Sequence, residues 1–106
     1  MVGRVGNREP DIARNIRLLE WLQAELVGAV AGVLKAAVKG GQEAVLDALA
    51  GVIMTTYLLA RRLGLSYTRV DLRLVEKLRA SLAEGHEVEQ WYGDLSALLR
   101  YLENER

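Results

Sequence analysis

The longest apolar part of this chain lies between Trp21 and Ala60, where two helix-length segments meet at Lys39-Gly40-Gly41. Five charged residues occur in this stretch: Glu25, Lys35, Lys39, Glu43 and Asp47. Apolar residues recur at three- and four-residue steps on both sides of the glycine pair, which is the helical period. The stretch therefore predicts a helical hairpin with more apolar surface than two helices can bury against each other.

Length and composition limit the functions that a single chain can carry. The 106 residues suit one domain, and 51% hydrophobic with 26% charged residues is typical of a folded globular protein. Fourteen basic and fourteen acidic residues cancel, which argues against a general nucleic-acid binder. The absence of Cys and the single His exclude a disulfide framework, thiolate chemistry and a multi-histidine metal site within one chain.

The apolar spacing, together with the positions of proline and glycine, predicts an all-α fold, with a long helical hairpin followed by two further helices. Residues 1–10 are expected to form a flexible arm, with Pro10 suited to the first turn of a helix, and residues 11–106 a single domain. The first helix ends near Lys39, the second runs from about Gln42 to Gly64, and the third ends at Gly85. The fourth is expected to run from about His86 to Asn104.

The apolar spacing also predicts which residues face inward. On the first two helices these are Ile12, Ile16, Leu19, Leu22, Leu26, Val30, Val33 and Ala37, then Val45, Leu49, Val52, Ile53, Thr56, Leu59 and Leu63. On the last two helices they are Val70, Leu74, Leu78 and Leu82, then Trp91, Leu95, Leu98 and Leu102.

Beyond Trp21 the first helix is apolar on nearly every side, and small residues occupy the face opposite Leu26: Ala24, Gly28, Ala31 and Gly32. A helix that is apolar all round is buried all round. Four short helices of one chain cannot enclose two such helices. We therefore expect a homodimer in which two hairpins share a four-helix-bundle core. A monomer with a small-residue surface is the alternative.

Several segments resemble the MazG-like family, which is related to the all-α nucleoside triphosphate pyrophosphohydrolases. They are Glu25-Leu26-Val27-Gly28-Ala29-Val30, the Lys39-Gly40-Gly41 turn, Ala48-Leu49-Ala50-Gly51-Val52-Ile53, the segment LLARRLGL at 58–65 and Glu76-Lys77-Leu78. The segment 91–102 is similar to the closing helix of a small MazG-like subgroup. The resemblance covers about Ile16 to Glu103.

The resemblance implies a magnesium site made of two carboxylate motifs on neighbouring helices. In the catalytic relatives, E-E-x-x-E and E-x-x-D hold the ion, which binds the phosphates and activates water for cleavage between the α and β phosphates. In this chain the first motif falls on Glu25, Leu26 and Ala29, and the second falls on Ala48 and Gly51. Only Glu25 matches.

Asp47 is the nearest substitute ligand on the second helix. In an antiparallel hairpin that turns at Gly40 and Gly41, positions summing to about 81 face each other, so Asp47 lies on the order of 13 Å along the axis from Glu25. Only a dimer mate could bring Glu25 and Asp47, with Glu43 as a further candidate, onto one magnesium ion. The structural alternative for Glu25 is a half-buried carboxylate that accepts hydrogen bonds from Thr55 or Thr56; for Asp47 it is a solvated residue near the turn.

The C-terminal half offers weaker candidates. His86 is interpreted as an exposed residue at a helix start rather than a base, and Asp71 and Glu76 as surface charges rather than nucleotide contacts. A helix-turn-helix within Leu63–Leu82 is disfavoured by the zero net charge.

Three aromatic residues near the end of the chain, Trp91, Tyr92 and Tyr101, could stack on a nucleotide base. Their spacing follows the predicted buried stripe of the fourth helix. Packing in the core is therefore the favoured interpretation.

Three functions follow from these observations. The favoured one is a MazG-like protein with a degenerate magnesium site that acts as a non-catalytic nucleotide-binding or assembly module. The first alternative is an active magnesium-dependent nucleoside triphosphate pyrophosphohydrolase whose site is assembled across the dimer. The second is a hairpin that binds a membrane surface or a partner helix, suggested by the uncharged run Ala48–Ala60.

We expect cytoplasmic residence and no transmembrane segment. The beginning of the chain does not have the pattern of a signal peptide. The run Ala48–Ala60 has 13 residues, fewer than the roughly 20 that a helix needs to cross a bilayer.

Overall fold

The computed structural model describes the backbone of residues 2–105 and the side chains of residues 10–104. It contains the helices α1 (Val2–Lys39), α2 (Gln42–Arg62), α3 (Tyr67–Glu84), α4 (Glu87–Tyr92) and α5 (Asp94–Glu105). No strand forms in residues 2–105, so the predicted all-α class is confirmed. The chain divides into two compact units, a hairpin unit, Met1–Ser66, and a C-terminal unit, Tyr67–Arg106.

Helices α1 and α2 are joined at the predicted glycine pair. The amide of Gly40 donates to the carbonyl of Ala36 at 2.8 Å, which extends the hydrogen bonding of α1 by one residue. A methyl group at Gly40 would lie 2.6 Å from the Cβ of Ala44, so only glycine fits this turn without a shift of the backbone. Lys39 and Glu43 lie at the helix ends that favour their charges.

Helices α1 and α2 pack against each other along a seam of residues spaced alternately by three and four. This spacing is the one that antiparallel helices use when side chains interdigitate. The seam residues are at least half-buried: Leu19, Leu22, Leu26, Ala29, Val33 and Ala36 on α1, and Val45, Ala48, Val52, Thr55 and Leu59 on α2.

The prediction of the inward face was wrong for part of each helix. Within the single chain, the exposed residues include Ile12, Ile16, Val30 and Ala37 on α1, Leu49, Ile53 and Thr56 on α2, and Leu63 directly after α2. The seam instead recruits the small residues Ala29, Ala36 and Ala48. Both helices carry apolar residues on several sides, so the helical period alone does not select the side that faces the other helix.

The open end of the hairpin, opposite the turn, is joined by a reciprocal pair of hydrogen bonds. The side-chain amide of Asn15 donates to the carbonyl of Arg62 at 3.3 Å, and the guanidinium of Arg62 donates to the Asn15 Oδ1 at 3.4 Å. Helix α2 ends at Arg62. Gly64, two residues later, has φ +86°, and the amide of Leu65 donates back to the carbonyl of Ala60. This is the Schellman arrangement expected at a glycine stop.

In the C-terminal unit, α3 packs against α5. Leu78 on α3 and Leu102 on α5 are buried, and Arg79 forms an ion pair with Glu103 across the two helices. The predicted inward residues of α3, at 70, 74, 78 and 82, are all at least half-buried. The prediction for this helix is therefore confirmed.

The predicted fourth helix is two helices, and the predicted continuous span from His86 to Asn104 was wrong. Gly93 adopts φ +67° and ends α4, with its amide donating to the carbonyl of Glu89 at 3.0 Å. Helix α5 starts at the next residue. A left-handed glycine stops a helix in this way, and the break removes Trp91 from the stripe formed by Leu95 and Leu102.

At the N-terminus, α1 continues past Pro10, which lies inside the helix rather than in its first turn. The predicted flexible arm, residues 1–10, falls almost wholly on residues whose side chains lie outside the described part of the chain. It stays a prediction.

Candidate functional site

The seam defines two sides of the hairpin. In two antiparallel helices, the residues that immediately follow seam positions lie on one side of the pair, and those that immediately precede them lie on the other. The first side carries Val27, Val30 and Leu34 from α1 and Leu46, Leu49 and Ile53 from α2. We call these six residues the apolar face.

The side chains of the apolar face are exposed in the single chain, from 45% for Leu49 to 72% for Val27. Between Val27 and Ala37 on α1, and between Leu46 and Thr56 on α2, no residue of this side is charged. Monomeric proteins rarely expose a continuous apolar surface of this kind without using it for association.

The other side of the hairpin has a mixed character. It carries Trp21, Glu25 and Gly28 from α1 and Asp47, Gly51 and Met54 from α2, and we call these residues the mixed face. Glu25 and Asp47 are both exposed there. The two predicted metal ligands therefore lie on one side of the hairpin, which is the side opposite the apolar face.

The other positions implied by the resemblance lie within or beside the seam. Leu26, Ala29 and Ala48 are seam residues, and Gly51 is half-buried next to Val52. Methyl groups at Ala29 and Ala48 allow the two helix backbones to approach each other. Acids at these positions would lie at the edge of the α1–α2 contact, where they need a cation or hydrogen-bond donors.

The predicted hydrogen bond between Glu25 and a threonine of α2 was wrong for the single chain. Thr55 is buried in the seam, whereas Glu25 is exposed. The hydroxyl of Thr56 donates to the carbonyl of Val52 within α2, at 2.7 Å. The apolar packing of the seam, and not a buried carboxylate, therefore holds this part of the hairpin.

The comparison with known families bears on these residues. A family model for the MazG-like family matches residues 12–95, which is most of the chain. The chain belongs to the MazG-like family. The match includes both helices of the hairpin and reaches the start of α5. Neither the comparison with curated proteins nor the comparison with solved structures gives a match.

The acids in the described part of this MazG-like chain do not gather into a group of three or more. Among the described residues, no such cluster of His, Asp or Glu side chains is placed to hold a metal ion. Glu43, the third acid considered for a site across a dimer, is exposed in the first turn of α2. The assignment of Glu25 and Asp47 as magnesium ligands stays a prediction, since it depends on residues of a second chain.

Both helices of the hairpin are, by length and composition alone, long and apolar enough to cross a membrane. These are Pro10–Lys39 and Gln42–Arg62, in which an 18-residue stretch has mean hydropathy 1.4 and 1.5, respectively. A core helix of a soluble protein can be equally long and apolar but is mostly buried, whereas 6% and 11% of these two stretches is buried in the single chain. The expectation of no transmembrane segment considered only the uncharged run Ala48–Ala60, and it stays a prediction.

The C-terminal unit places the aromatic candidates at its surface. Trp91 and Tyr92 on α4 are 68% and 74% exposed, and their rings meet edge to face with centroids 6.5 Å apart. Tyr101 on α5 is also exposed. The expectation that these three residues pack in the core was wrong for the single chain. The break at Gly93 separates Trp91 and Tyr92 from α5, and Tyr101 lies on an exposed side of α5.

The remaining candidates have structural partners. Glu76 forms an exposed ion pair with Arg73 at 3.3 Å, and Asp71 is half-buried on α3. His86 is exposed at the start of α4, as predicted, and its Nδ1 accepts the amide of Val88 at 3.1 Å. It acts as the N-cap of α4.

Sequence reasoning missed the contact between Glu89 and Ser96. One carboxylate oxygen of Glu89 accepts the amide of Ser96 at 2.9 Å, and the other accepts its hydroxyl. The Ser96 hydroxyl, and then its amide, hold the pKa of Glu89 below its usual range. The sequence signal was Gly93 followed by Asp94, a stop and an acidic helix start inside an apparently continuous helix.

Proposed function

We propose that this MazG-like chain is a non-catalytic assembly module that pairs with a second copy through the apolar face. In this proposal, α1 and α2 of two chains form a shared four-helix-bundle core. The observation that carries it is the uncharged row of exposed side chains from Val27 to Leu34 on α1 and from Leu46 to Ile53 on α2.

Burying this face between two copies gives a free-energy gain of the same order as the cost of association. Complete burial of a Val, Leu or Ile side chain contributes about 1.5–3 kcal/mol, and the six side chains have about half of that still to gain. Two copies bring twice as many side chains, so the gain is on the order of 10 kcal/mol. This is comparable to the cost of lost translational and rotational freedom.

A second copy suits this face better than a charged or strongly polar partner. The face is two helices wide and offers neither charge nor exposed hydrogen-bonding side chains except at its end near Glu20 and Gln23. A two-fold axis through its centre would pack an apolar surface against an equally apolar one. The result is the two-layer arrangement of a four-helix bundle.

The oligomeric state tests the proposal. Leu46 and Met54 lie on opposite sides of α2 and are equally exposed, at 61% each. In the proposal, Leu46→Asp buries an unpaired charge between the two hairpins and weakens the dimer by at least about 100-fold, whereas Met54→Asp leaves it intact. Sedimentation equilibrium of the wild type and both variants measures this.

Two results would reject the assembly proposal. A wild type that is monomeric at micromolar concentration removes it directly. Equal effects of Leu46→Asp and Met54→Asp would show that the apolar face is not the one that pairs.

The non-catalytic part of the proposal is supported by the residues at the implied ligand positions. Ala29, Ala48 and Gly51 have no oxygen in their side chains, and Glu25 alone provides a carboxylate there. Hard cations such as Mg²⁺ need several oxygen ligands. We therefore expect no pyrophosphate release from nucleoside triphosphates with magnesium or manganese, and release that Glu25→Ala abolishes would overturn this expectation.

The active pyrophosphohydrolase is the alternative, with Glu25 and Asp47 as ligands contributed by two chains. It needs the mixed faces of the two chains to meet, because both carboxylates lie there. The proposed dimer brings the apolar faces together instead. A crystal soaked with magnesium and a non-hydrolysable nucleotide separates the two, since density for an ion beside Glu25 would favour the enzyme.

The membrane-binding hairpin is favoured by one observation, the length and apolar composition of Pro10–Lys39 and Gln42–Arg62. It competes for the same apolar face as the dimer. Sedimentation with neutral and anionic phospholipid vesicles tests it. We expect the protein in the supernatant with both, in keeping with the proposed cytoplasmic residence, and co-sedimentation would favour the membrane.

A further inference from the structure

Helix α4 depends on a side-chain contact at its start. It has only six residues, and a helix this short is not stable without caps. At its N-terminus, the amide of Val88 donates to the Nδ1 atom of His86 at 3.1 Å. At its C-terminus, the left-handed Gly93 ends it. Gln90 adds a hydrogen bond from its side-chain amide to the carbonyl of Gly85 at 3.0 Å.

Glu89 connects α4 to the start of α5 through side-chain hydrogen bonds. This residue lies in the middle of α4, and its carboxylate accepts both the amide and the hydroxyl of Ser96 in the first turn of α5. The His86 cap therefore stabilises α4, and α4 in turn positions Glu89 to bind the start of α5. Loss of the cap would release Glu89 as well as α4.

The contact between Val88 and His86 exists only when Nδ1 carries no proton. A neutral imidazole has one acceptor nitrogen, whereas the doubly protonated ring has two donors and no acceptor. Protonation therefore removes the hydrogen bond and places a positive charge at the positive end of a helix, which is also unfavourable. Histidine side chains change charge between about pH 5 and 8.

Acidic residues that lie close to His86 in the sequence would attract its protonated ring. The charged residues within eight positions of His86 are Arg79 and Glu84 on α3, Glu87 and Glu89 on α4, and Asp94 on α5. Four of these five are acidic, and between Ala80 and Leu99 the chain has no Lys or Arg. The charged form of His86 therefore has attractive partners outside the cap.

We propose that His86 is a pH-responsive cap that holds α4 and the start of α5 when neutral and releases both when protonated. The released state changes the environment of Trp91 and Tyr92, the exposed aromatic pair that α4 carries. The device is independent of the hairpin, so it does not rest on the proposed dimer.

Amide hydrogen exchange of the full chain, followed by NMR between pH 8 and about 5.5, tests this proposal. Over this range Glu89 stays ionised, because its pKa lies below the usual range. Once the intrinsic pH dependence of exchange is removed, we expect exchange of the Val88 amide to speed up about 3- to 30-fold on acidification, the effect of losing one N-cap. The change should share its midpoint with the imidazole resonances of His86 and the indole resonance of Trp91.

Two variants complete the test. His86→Asn keeps a capping acceptor that does not titrate, so Val88 should stay protected across the range. His86→Ala lacks the acceptor, so Val88 should exchange at pH 8 as fast as in the wild type at low pH. A pH-independent wild type, or a transition that persists in His86→Asn, would overturn the proposal.

Discussion

The two units of this chain are both all-helical, but they are held together in different ways. The hairpin unit relies on an apolar seam between two long helices and leaves a second apolar face exposed. The C-terminal unit combines a small apolar core at Leu78 and Leu102 with side-chain hydrogen bonds and an ion pair. Shorter helices bury less surface, so caps and ion pairs contribute a larger share of their stability.

The difference has two consequences. Contacts between apolar side chains do not depend on ionisation, so the stability of the hairpin should change little with pH. Contacts of Glu89 and His86 depend on their charge, so the C-terminal unit should respond to pH first. Substitutions in each unit can therefore test the comparison separately.

The largest effect is expected from a charge in the seam. Ala29→Glu places a carboxylate against α2 without a paired cation, and we expect the free energy of unfolding to fall by about 2–4 kcal/mol in urea denaturation. Ala83→Glu on the exposed side of α3 is the control, with an expected change within about 0.5 kcal/mol.

Repeating the urea denaturation of the Ala29→Glu variant with magnesium tests whether position 29 can take part in a metal site. If the seam is purely structural, the ion will not restore the stability of the Ala29→Glu variant. Recovery with magnesium would mean that Glu25 and the introduced carboxylate share an ion, which contradicts the structural interpretation of this position.

A smaller effect is expected at the hairpin turn. Gly40→Ala forces a methyl group to within 2.6 Å of the Ala44 Cβ, and the resulting backbone shift should cost about 1–3 kcal/mol in the free energy of unfolding. Gly41→Ala meets no atom within 4 Å. Its change should stay below about 1 kcal/mol, and similar losses in both variants would show that the turn does not need glycine at position 40.

The next prediction concerns pH in the C-terminal unit. The pKa of Glu89 is lowered in the folded state by the hydroxyl and amide of Ser96. A carboxylate of this kind stabilises the fold at pH values above its unfolded pKa, and the stabilisation is lost as the pH falls through the folded value. Thermal denaturation should show Glu89→Gln less stable than the wild type at pH 7, with the two converging only when the pH falls below the usual titration range of a glutamate. A constant difference would contradict the assignment.

The smallest effect is expected at the exposed pair of Arg73 and Glu76. Ion pairs three residues apart on a helix surface contribute about 0.5 kcal/mol or less, and salt screens them. Glu76→Gln should therefore change the free energy of unfolding by no more than this amount, and the change should vanish at high salt. A larger loss would mean that Glu76 has a role beyond this pair.

Much of the fold could be predicted because the residues that end a helix lie at the end itself. The Gly40-Gly41 turn, the stop at Gly64 and the stop at Gly85 each follow from residues that sit at helix ends for known steric reasons. The inward stripe of α3 also emerged correctly, because its other sides are charged. The break at Gly93 was missed because apolar spacing continues across it, from Trp91 to Leu95.

The orientation of α1 and α2 and the site could not be predicted in the same way. Where Leu26, Val27 and Val30 all look apolar, periodicity does not identify the side that meets the other helix. The contact of Glu89 with Ser96 spans seven residues and depends on the bend between two helices. The separation of the acids from the apolar face required the position of the seam, which only the structure supplies.

The hydrogen bonds between Asn15 and Arg62 have a consequence for how copies of this chain can meet. The two helices of the hairpin are therefore connected at both ends, by these hydrogen bonds at one end and by the tight turn at Gly40 at the other. Exchange of a helix between neighbouring molecules, or domain swapping, would have to break the hydrogen bonds between Asn15 and Arg62 and straighten the turn at Gly40. If two copies pair as proposed, they should therefore meet as intact folded units, in a reversible encounter that needs no unfolding step.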